Sequence, residues 1–244
     1  MPGSGQFDDG GDEFLPDLKR PVSKVTSAQT LVGGAPVSRK VLDEALTHAP
    51  RLIAVDGGAD TVLQAGMRPC AVVGDLDSIS EEARAVFADG LVHVPEQDST
   101  DFAKALRTYP APFTIAVGFI GARVDHFLAC LTELARNRAP CVLLGEEDCV
   151  CIAPLSIRLD LPVGTRLSLW PLGPATGTGE GLEWPIDRVA FGPASVTGTS
   201  NRTTGPVTLN LSGGPMALIL PSDALPALLE SLEMTPRGAD TSPL

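Results

Sequence analysis

The sequence predicts an α/β protein: an N-terminal, mostly parallel sheet flanked by helices, followed by a smaller antiparallel β domain. Two observations predict it. From about Gln29 to Ala153, short apolar runs alternate with helical patterns, and the runs are apolar on both faces, as strands covered by helices on two sides must be. After Ala153 the helical pattern stops, and short alternating runs follow one another between Gly and Pro.

In chain order, the first strand candidates are "TLVGG", "LIAVDGG", "AVVGD", "LVHVP", "FTIAVGF" and "CVLLG". Helical stretches lie between them near 38–47, 80–88, 101–108 and 125–137. In the last, Val124, Leu128, Leu131 and Ala135 recur at spacings of three and four and are expected to share a core face. The later strand candidates are "SIRLDL", "TRLSLWPL", "ASVTGT", "PVTLNLS" and "MALILP", with "GPATGTGEG" (173–181) as a flexible connection. The expected organisation is an acidic, disordered tail over 1–20, an α/β domain over 21–154, a β domain over 155–234 and a loose end over 235–244. No internal repeat is visible.

Composition narrows the class. The 244 residues carry a net charge of −12, with a pI near 4.6. A nucleic-acid or anionic-membrane partner needs clustered Lys and Arg, so neither is expected. No apolar run approaches the ~18 residues of a membrane span. The opening "MPGSGQFDDGGDEFLPD" has neither the basic start nor the apolar centre of a signal peptide, and the expected location is the cytoplasm. The 5 cysteines are odd in number and form no CxxC pair, which suits small buried hydrophobes in a reducing compartment.

Acidic residues collect where the strands of the first half end. Asp56 follows one strand and precedes Gly57 and Gly58; Asp75 and Asp77 follow another; Asp98 and Asp101 open a helix that Ser99 or Thr100 can cap; Arg123, Asp125 and His126 stand in a fourth turn. In an open parallel sheet these four loops point to one rim, where ligands bind. Each has an ordinary reading alone. Asp56 suits a turn, Asp98 or Asp125 a helix cap, Lys104 a solvated helix charge, and Arg123 a partner for a carboxylate. Together, however, at least four carboxylates on one rim repel unless a cation sits among them. All-oxygen ligation without His or Cys points to magnesium, and magnesium held by a few carboxylates shares its shell with substrate phosphates. Gly33, Gly34, Gly57 and Gly58 can offer backbone N–H groups to such phosphates. There is no Walker A sequence.

The motifs "DGGAD", "GDLDSI", "QDSTDFAKAL" and "GARVDHFLACL", in this order and spacing, resemble the thiamine pyrophosphokinase family. "GLEWP" (181–185) and "TSNRTTGPVTL" (199–209) extend the resemblance, which covers roughly 28–221. It implies a homodimer that transfers pyrophosphate from ATP to the hydroxyl of thiamine, releasing AMP. On matching positions it implies that Asp56, Asp75, Asp77 and Asp101 serve Mg²⁺-ATP, with Asp75, Asp77 and Asp101 as metal ligands. Gln97 and Thr100 belong to the same loop, with Gly57 and Gly58 at the nucleotide. Lys104 and Arg123 face phosphate, and Asp101, Asp77 and Arg123 are the catalytic set, with Asp101 chosen as proton acceptor. Asp125, Ser200 and Asn201 lie near thiamine, the last two reaching the partner subunit's ATP. Two positions depart from the family pattern. Ala122 stands where Gly-Gly-Arg is usual, and "GGPMALIL" lacks the tryptophan that stacks on thiamine in some relatives.

Two other readings fit parts of the sequence. "DLDS" after a strand superficially resembles the nucleophile motif of haloacid-dehalogenase-like phosphatases, and a non-catalytic thiamine or nucleotide sensor would keep the same site.

Overall fold

The computed structural model describes residues 28–96, 98–137 and 140–234. Both expected tails and Gln97 lie outside these residues. Six short runs form strands where alternation of apolar stretches and helices places them: β1 (Gln29–Val32), β2 (Arg51–Val55), β3 (Ala71–Gly74), β4 (Leu91–His93), β5 (Thr114–Val117) and β6 (Cys141–Leu144). They pair in parallel in the order β6-β5-β1-β2-β3-β4. Every residue of β1, β3, β5 and β6 is buried, because apolar layers cover both faces. Leu31, Ile53 and Val73 point into one layer; Val32, Ala54 and Val72 point into the other.

The connecting helices are α1 (Arg39–His48), α2 (Gly58–Gln64), α3 (Glu81–Val86), α4 (Asp101–Thr108) and α5 (Val124–Asn137). Ser38, Ser80 and Thr100 cap α1, α3 and α4, each hydroxyl accepting from the N–H three residues on. α2 has no counterpart among the expected helices, because Asp-Gly-Gly signals a turn. The structure shows why glycine also suits a helix here: a Cβ on Gly58 would lie 1.9 Å from the carbonyl oxygen of Val32, so only glycine lets α2 close on β1.

The expected core face of α5 is corrected. Leu131 is buried, but Val124 and Leu128 are 70% and 53% exposed. The stripe against the sheet runs through Phe127, Cys130, Leu131 and Leu134, also at spacings of three and four. The spacing allows either stripe; the larger Phe127 sides with the inner one.

Beyond β6 the sheet continues with reversed direction. β7 (Asp148–Ile152) runs antiparallel to β6, and β12 (Met216–Pro221) antiparallel to β7. β9 (Arg166–Pro171), β11 (Thr199–Gly213) and β10 (Ala175–Leu182) follow, while β8 (Ser156–Leu159) also pairs with β11. The 15-residue β11 pairs with β9 through its first four residues and with β10 over most of the rest.

Two further expectations are overturned. The stretch 173–181 is mostly strand, not a flexible connection: Ala175 to Glu180 pair with Gly213 to Thr208. Thr176, Thr178 and Glu180 face outward, while Gly177 and Gly179 face in. A Cβ would come 2.7 Å from Leu211 at Gly177 and 2.9 Å from Leu182 at Gly179. The strand's alternation is hidden because its inward residues are glycines. Helical pattern also returns after Ala153, as α6 (Leu225–Met234). Its Leu225, Leu228 and Leu229 are buried, and Pro226 sits in the first turn, where no intrahelical N–H bond is lost.

Because β1 to β6 are parallel, the loops after their carboxyl ends share one rim. At the β1–β5 border, where the strand order reverses, a Cβ on Gly33 would meet the Gly118 oxygen at 2.6 Å and the Phe119 ring at 2.8 Å, so only glycine lets the two loops approach this closely.

Candidate active site

Two strand ends and one helix start build a single acidic pocket. Asp56 leaves β2, Asp75 leaves β3, and Asp101 opens α4. One carboxylate oxygen from each lies within 4.8 Å of the others, and all three residues are partly buried. Backbone N–H groups hold the set. Asp75 N–H donates to Asp101 Oδ1 (3.2 Å), Asp77 N–H to Asp75 Oδ1 (3.3 Å) and Ser78 N–H to Asp56 Oδ1 (3.4 Å). Burial, followed by the charge of Asp101 among smaller effects, leaves the Asp56 carboxyl with a raised pKa despite these hydrogen bonds.

Lys104 closes the pocket from beneath. It is 1% exposed, and its ammonium donates to Asp101 Oδ1 at 2.9 Å and stands 3.9 Å from Asp75 Oδ2. The solvated-charge reading of this lysine is therefore wrong. One turn into α4, its stem runs inward beside Phe102 and Ala105, and only a paired ammonium is tolerated at that depth.

The end of β3 and the loop after it carry features that motif reading did not assign. Gly74 is one: a Cβ there would lie 3.0 Å from Asp56 Cβ and 3.2 Å from Asp101 Oδ1, filling the space between two carboxylates. Its only sequence signal is the glycine before "DLDS". Leu76 is another. It adopts φ +63, is 5% exposed, and receives a hydrogen bond on its carbonyl from Arg84. An apolar anchor and a guanidinium thus hold a left-handed turn that a bulky residue would not choose. Asp56 also has φ +45, a region Asp and Asn tolerate better than most residues. Asp60 of α2 binds the N–H and hydroxyl of Ser80, fixing the far end of the same loop.

The remaining expected residues are placed as follows. Asp77 is exposed, lies outside the three-carboxylate set, and accepts from Ser78 Oγ at 2.8 Å. Thr100 spends its hydroxyl on the α4 cap. Gly57 N–H hydrogen-bonds to the Asp56 carboxylate, and the open side of Gly58 is filled by β1. Gly33 N–H donates to Val117, within the sheet. Arg123 and Asp125 are exposed and pair with each other at 2.6 Å; the arginine holds the Asp125 carboxyl below its usual range. Ala122 is not among the residues with positive φ; Gly121 takes the left-handed turn, at φ +97. Ser200 is exposed on β11. Asn201 is 3% exposed and clamps another segment: Oδ1 accepts from Trp184 N–H (3.2 Å) and Arg202 N–H (2.9 Å), and Nδ2 donates to Trp184 O (2.7 Å).

The donor set suits a hard divalent cation. Its three converging ligands are all carboxylates, and the absence of a side chain at Gly74 keeps the space among them clear. No helix among the described residues is long and apolar enough to cross a membrane.

Comparison with known proteins agrees with this architecture. The family model for the thiamin pyrophosphokinase catalytic domain matches residues 42–143. Thiamin pyrophosphokinase 1 of Caenorhabditis elegans is 24% identical over 173 residues, 62% of this chain and 71% of that protein. Thiamine pyrophosphokinase of Bacillus subtilis is 41% identical over 92 residues, 35% of this chain and 43% of the relative. The crystal structure of thiamin pyrophosphokinase from Geobacillus thermodenitrificans superposes with a TM-score of 0.68 at 25% identity, covering 80% of this chain and 98% of that one. Fold, acidic rim and relatives together define a transferase of the kinase or pyrophosphotransferase class. More narrowly, residues 42–143 match the thiamin pyrophosphokinase catalytic domain and the chain is similar to thiamin pyrophosphokinases, whereas neither the phosphatase nor the sensor reading finds support.

Proposed function

We propose that this chain transfers a pyrophosphoryl group from ATP to the hydroxyl of thiamine, giving thiamine diphosphate and AMP. The observation that carries the proposal is the convergence of Asp56, Asp75 and Asp101 at the sheet's carboxyl rim, with Asp75 and Asp101 paired to buried Lys104. Bound magnesium would supply neutralising charge for the polyphosphate. The chain's residues do the rest. Asp75 and Asp101, with Asp56 as the observed third member and Asp77 at the mouth, hold and orient the charged end of the nucleotide. The thiamine oxygen attacks the β-phosphorus. The new O–P bond forms as the bond to the α,β-bridging oxygen breaks, AMP leaves, and the hydroxyl proton passes to a carboxylate, for which Asp101 is our choice.

Arg123 is exposed on the same rim, so a phosphate can compete with Asp125 for its guanidinium. In this reading, residues 21–154 bind nucleotide. Residues 155–234 contribute Ser200 to the thiamine pocket of a second subunit, and the enzyme works as a cytoplasmic homodimer.

Product analysis tests the proposal. With ATP, Mg²⁺ and thiamine, AMP and thiamine diphosphate should appear in equal amounts. ADP with thiamine monophosphate, or free phosphate alone, would refute it.

A further inference from the structure

Lys104 has a consequence for the order in which the site fills. Three carboxylates and one ammonium give the pocket a formal charge of −2, not −3. That ammonium is not a surface charge that solvent can screen: it is 1% exposed, carried on a helix, and fixed 2.9 Å from Asp101 and 3.9 Å from Asp75. It occupies the electrostatic role a cation would fill, from the protein side of the carboxylates. We infer that Lys104 is a built-in counter-ion that holds the empty carboxylate set together and opposes capture of a free divalent cation, so that metal enters with the polyphosphate.

The inference rests on the reading that Asp56, Asp75 and Asp101 hold a divalent cation. Without Lys104, the three carboxylates would repel within 4.8 Å of one another, and a cation would relieve more repulsion on entering. With Lys104, the entering ion also meets a fixed like charge on two of the carboxylates it would share. Even at high effective dielectric, that repulsion corresponds to about tenfold in affinity or more. Polyphosphate brings negative charge of its own, which offsets the ammonium and removes the barrier. Lys104 is thus a positioning residue that acts through Asp101 and Asp75.

The test is Mn²⁺ binding to the full chain, without nucleotide or thiamine, read by loss of the free-ion paramagnetic resonance signal. Mn²⁺ shares magnesium's preference for carboxylate oxygen. Lys104→Met should bind Mn²⁺ about tenfold more tightly than wild type or better. Lys104→Arg, which keeps the charge, should stay within about threefold of wild type. Lys104→Met should also lose melting temperature when metal-free and recover most of it at saturating Mn²⁺, which a packing defect would not do. If Lys104→Met does not fold without metal, refolding on Mn²⁺ addition supports the inference, and an unfolded chain at saturating Mn²⁺ overturns it. Unchanged or weaker Mn²⁺ affinity in folded Lys104→Met overturns it as well. With a non-hydrolysable ATP analogue present, wild type binding Mn²⁺ no better than Asp75→Asn would instead remove the metal reading, and the inference with it.

Discussion

Replacing Asn201 with alanine separates a substrate contact from a structural clamp. The side chain is 3% exposed and makes three hydrogen bonds, two to the backbone of Trp184 and one to the N–H of Arg202. Each such bond contributes about 1 kcal/mol net, so the substitution should cost about 3 kcal/mol. For a fold of this size, that lowers the melting temperature by about 6–12 °C. The neighbouring Ser200 is exposed, and Ser200→Ala should change stability by no more than about 0.5 kcal/mol. Thermal unfolding followed by circular dichroism compares the two variants in one experiment. If Asn201→Ala melts with wild type and loses only thiamine affinity, the clamp contributes nothing and the reasoning fails.

Two other outcomes follow from ionisation. The raised pKa of Asp56 means that the folded protein holds this proton more tightly than the unfolded chain. Its contribution to stability is therefore present at low pH and lost as pH rises from the ordinary 3.8 through the raised value. Asp56→Asn, which tolerates the same left-handed backbone, should melt higher than wild type at pH 7 without metal and show less loss across that window; a lower melting temperature at pH 7 would contradict the assignment. Burial pushes the Cys130 and Cys149 thiols up to about 12 and raises those of Cys141 and Cys151 further, while Cys70 is exposed. An aromatic disulfide reagent at pH 8 should titrate one thiol in the native protein and five after unfolding; rapid native reaction of two or more would contradict the burial.

The parallel half was legible because its strands are continuous apolar runs and its helices carry their own caps. Residue type narrowed the α4 cap to Ser99 or Thr100, and Thr100 makes the bond. Features that depend on what a glycine leaves out were not. Gly177 and Gly179 conceal the inward face of β10, Gly58 conceals the start of α2, and Gly74 conceals the space the carboxylates share. In each case the decisive fact is an atom that would collide, which no residue pattern displays. The acidic rim was legible as a cluster, since four loops after parallel strands must meet. Its membership was not: Asp77 looks equivalent to Asp75 in sequence, but the turn at Leu76 sends it outward. The burial of Lys104 was equally hidden, because helical spacing places it beside core residues without showing that two carboxylates wait there.

The central claim, that Asp56, Asp75 and Asp101 form the metal and polyphosphate site, is tested most directly by anomalous diffraction. Crystals soaked with Mn²⁺ and a non-hydrolysable ATP analogue should be measured at the manganese absorption edge. The account predicts an anomalous peak about 2.0–2.3 Å from carboxylate oxygens of at least two of the three aspartates, with phosphate oxygens in the same coordination shell. A peak ligated elsewhere on the chain, with the three carboxylates left without metal beside bound nucleotide, would contradict it.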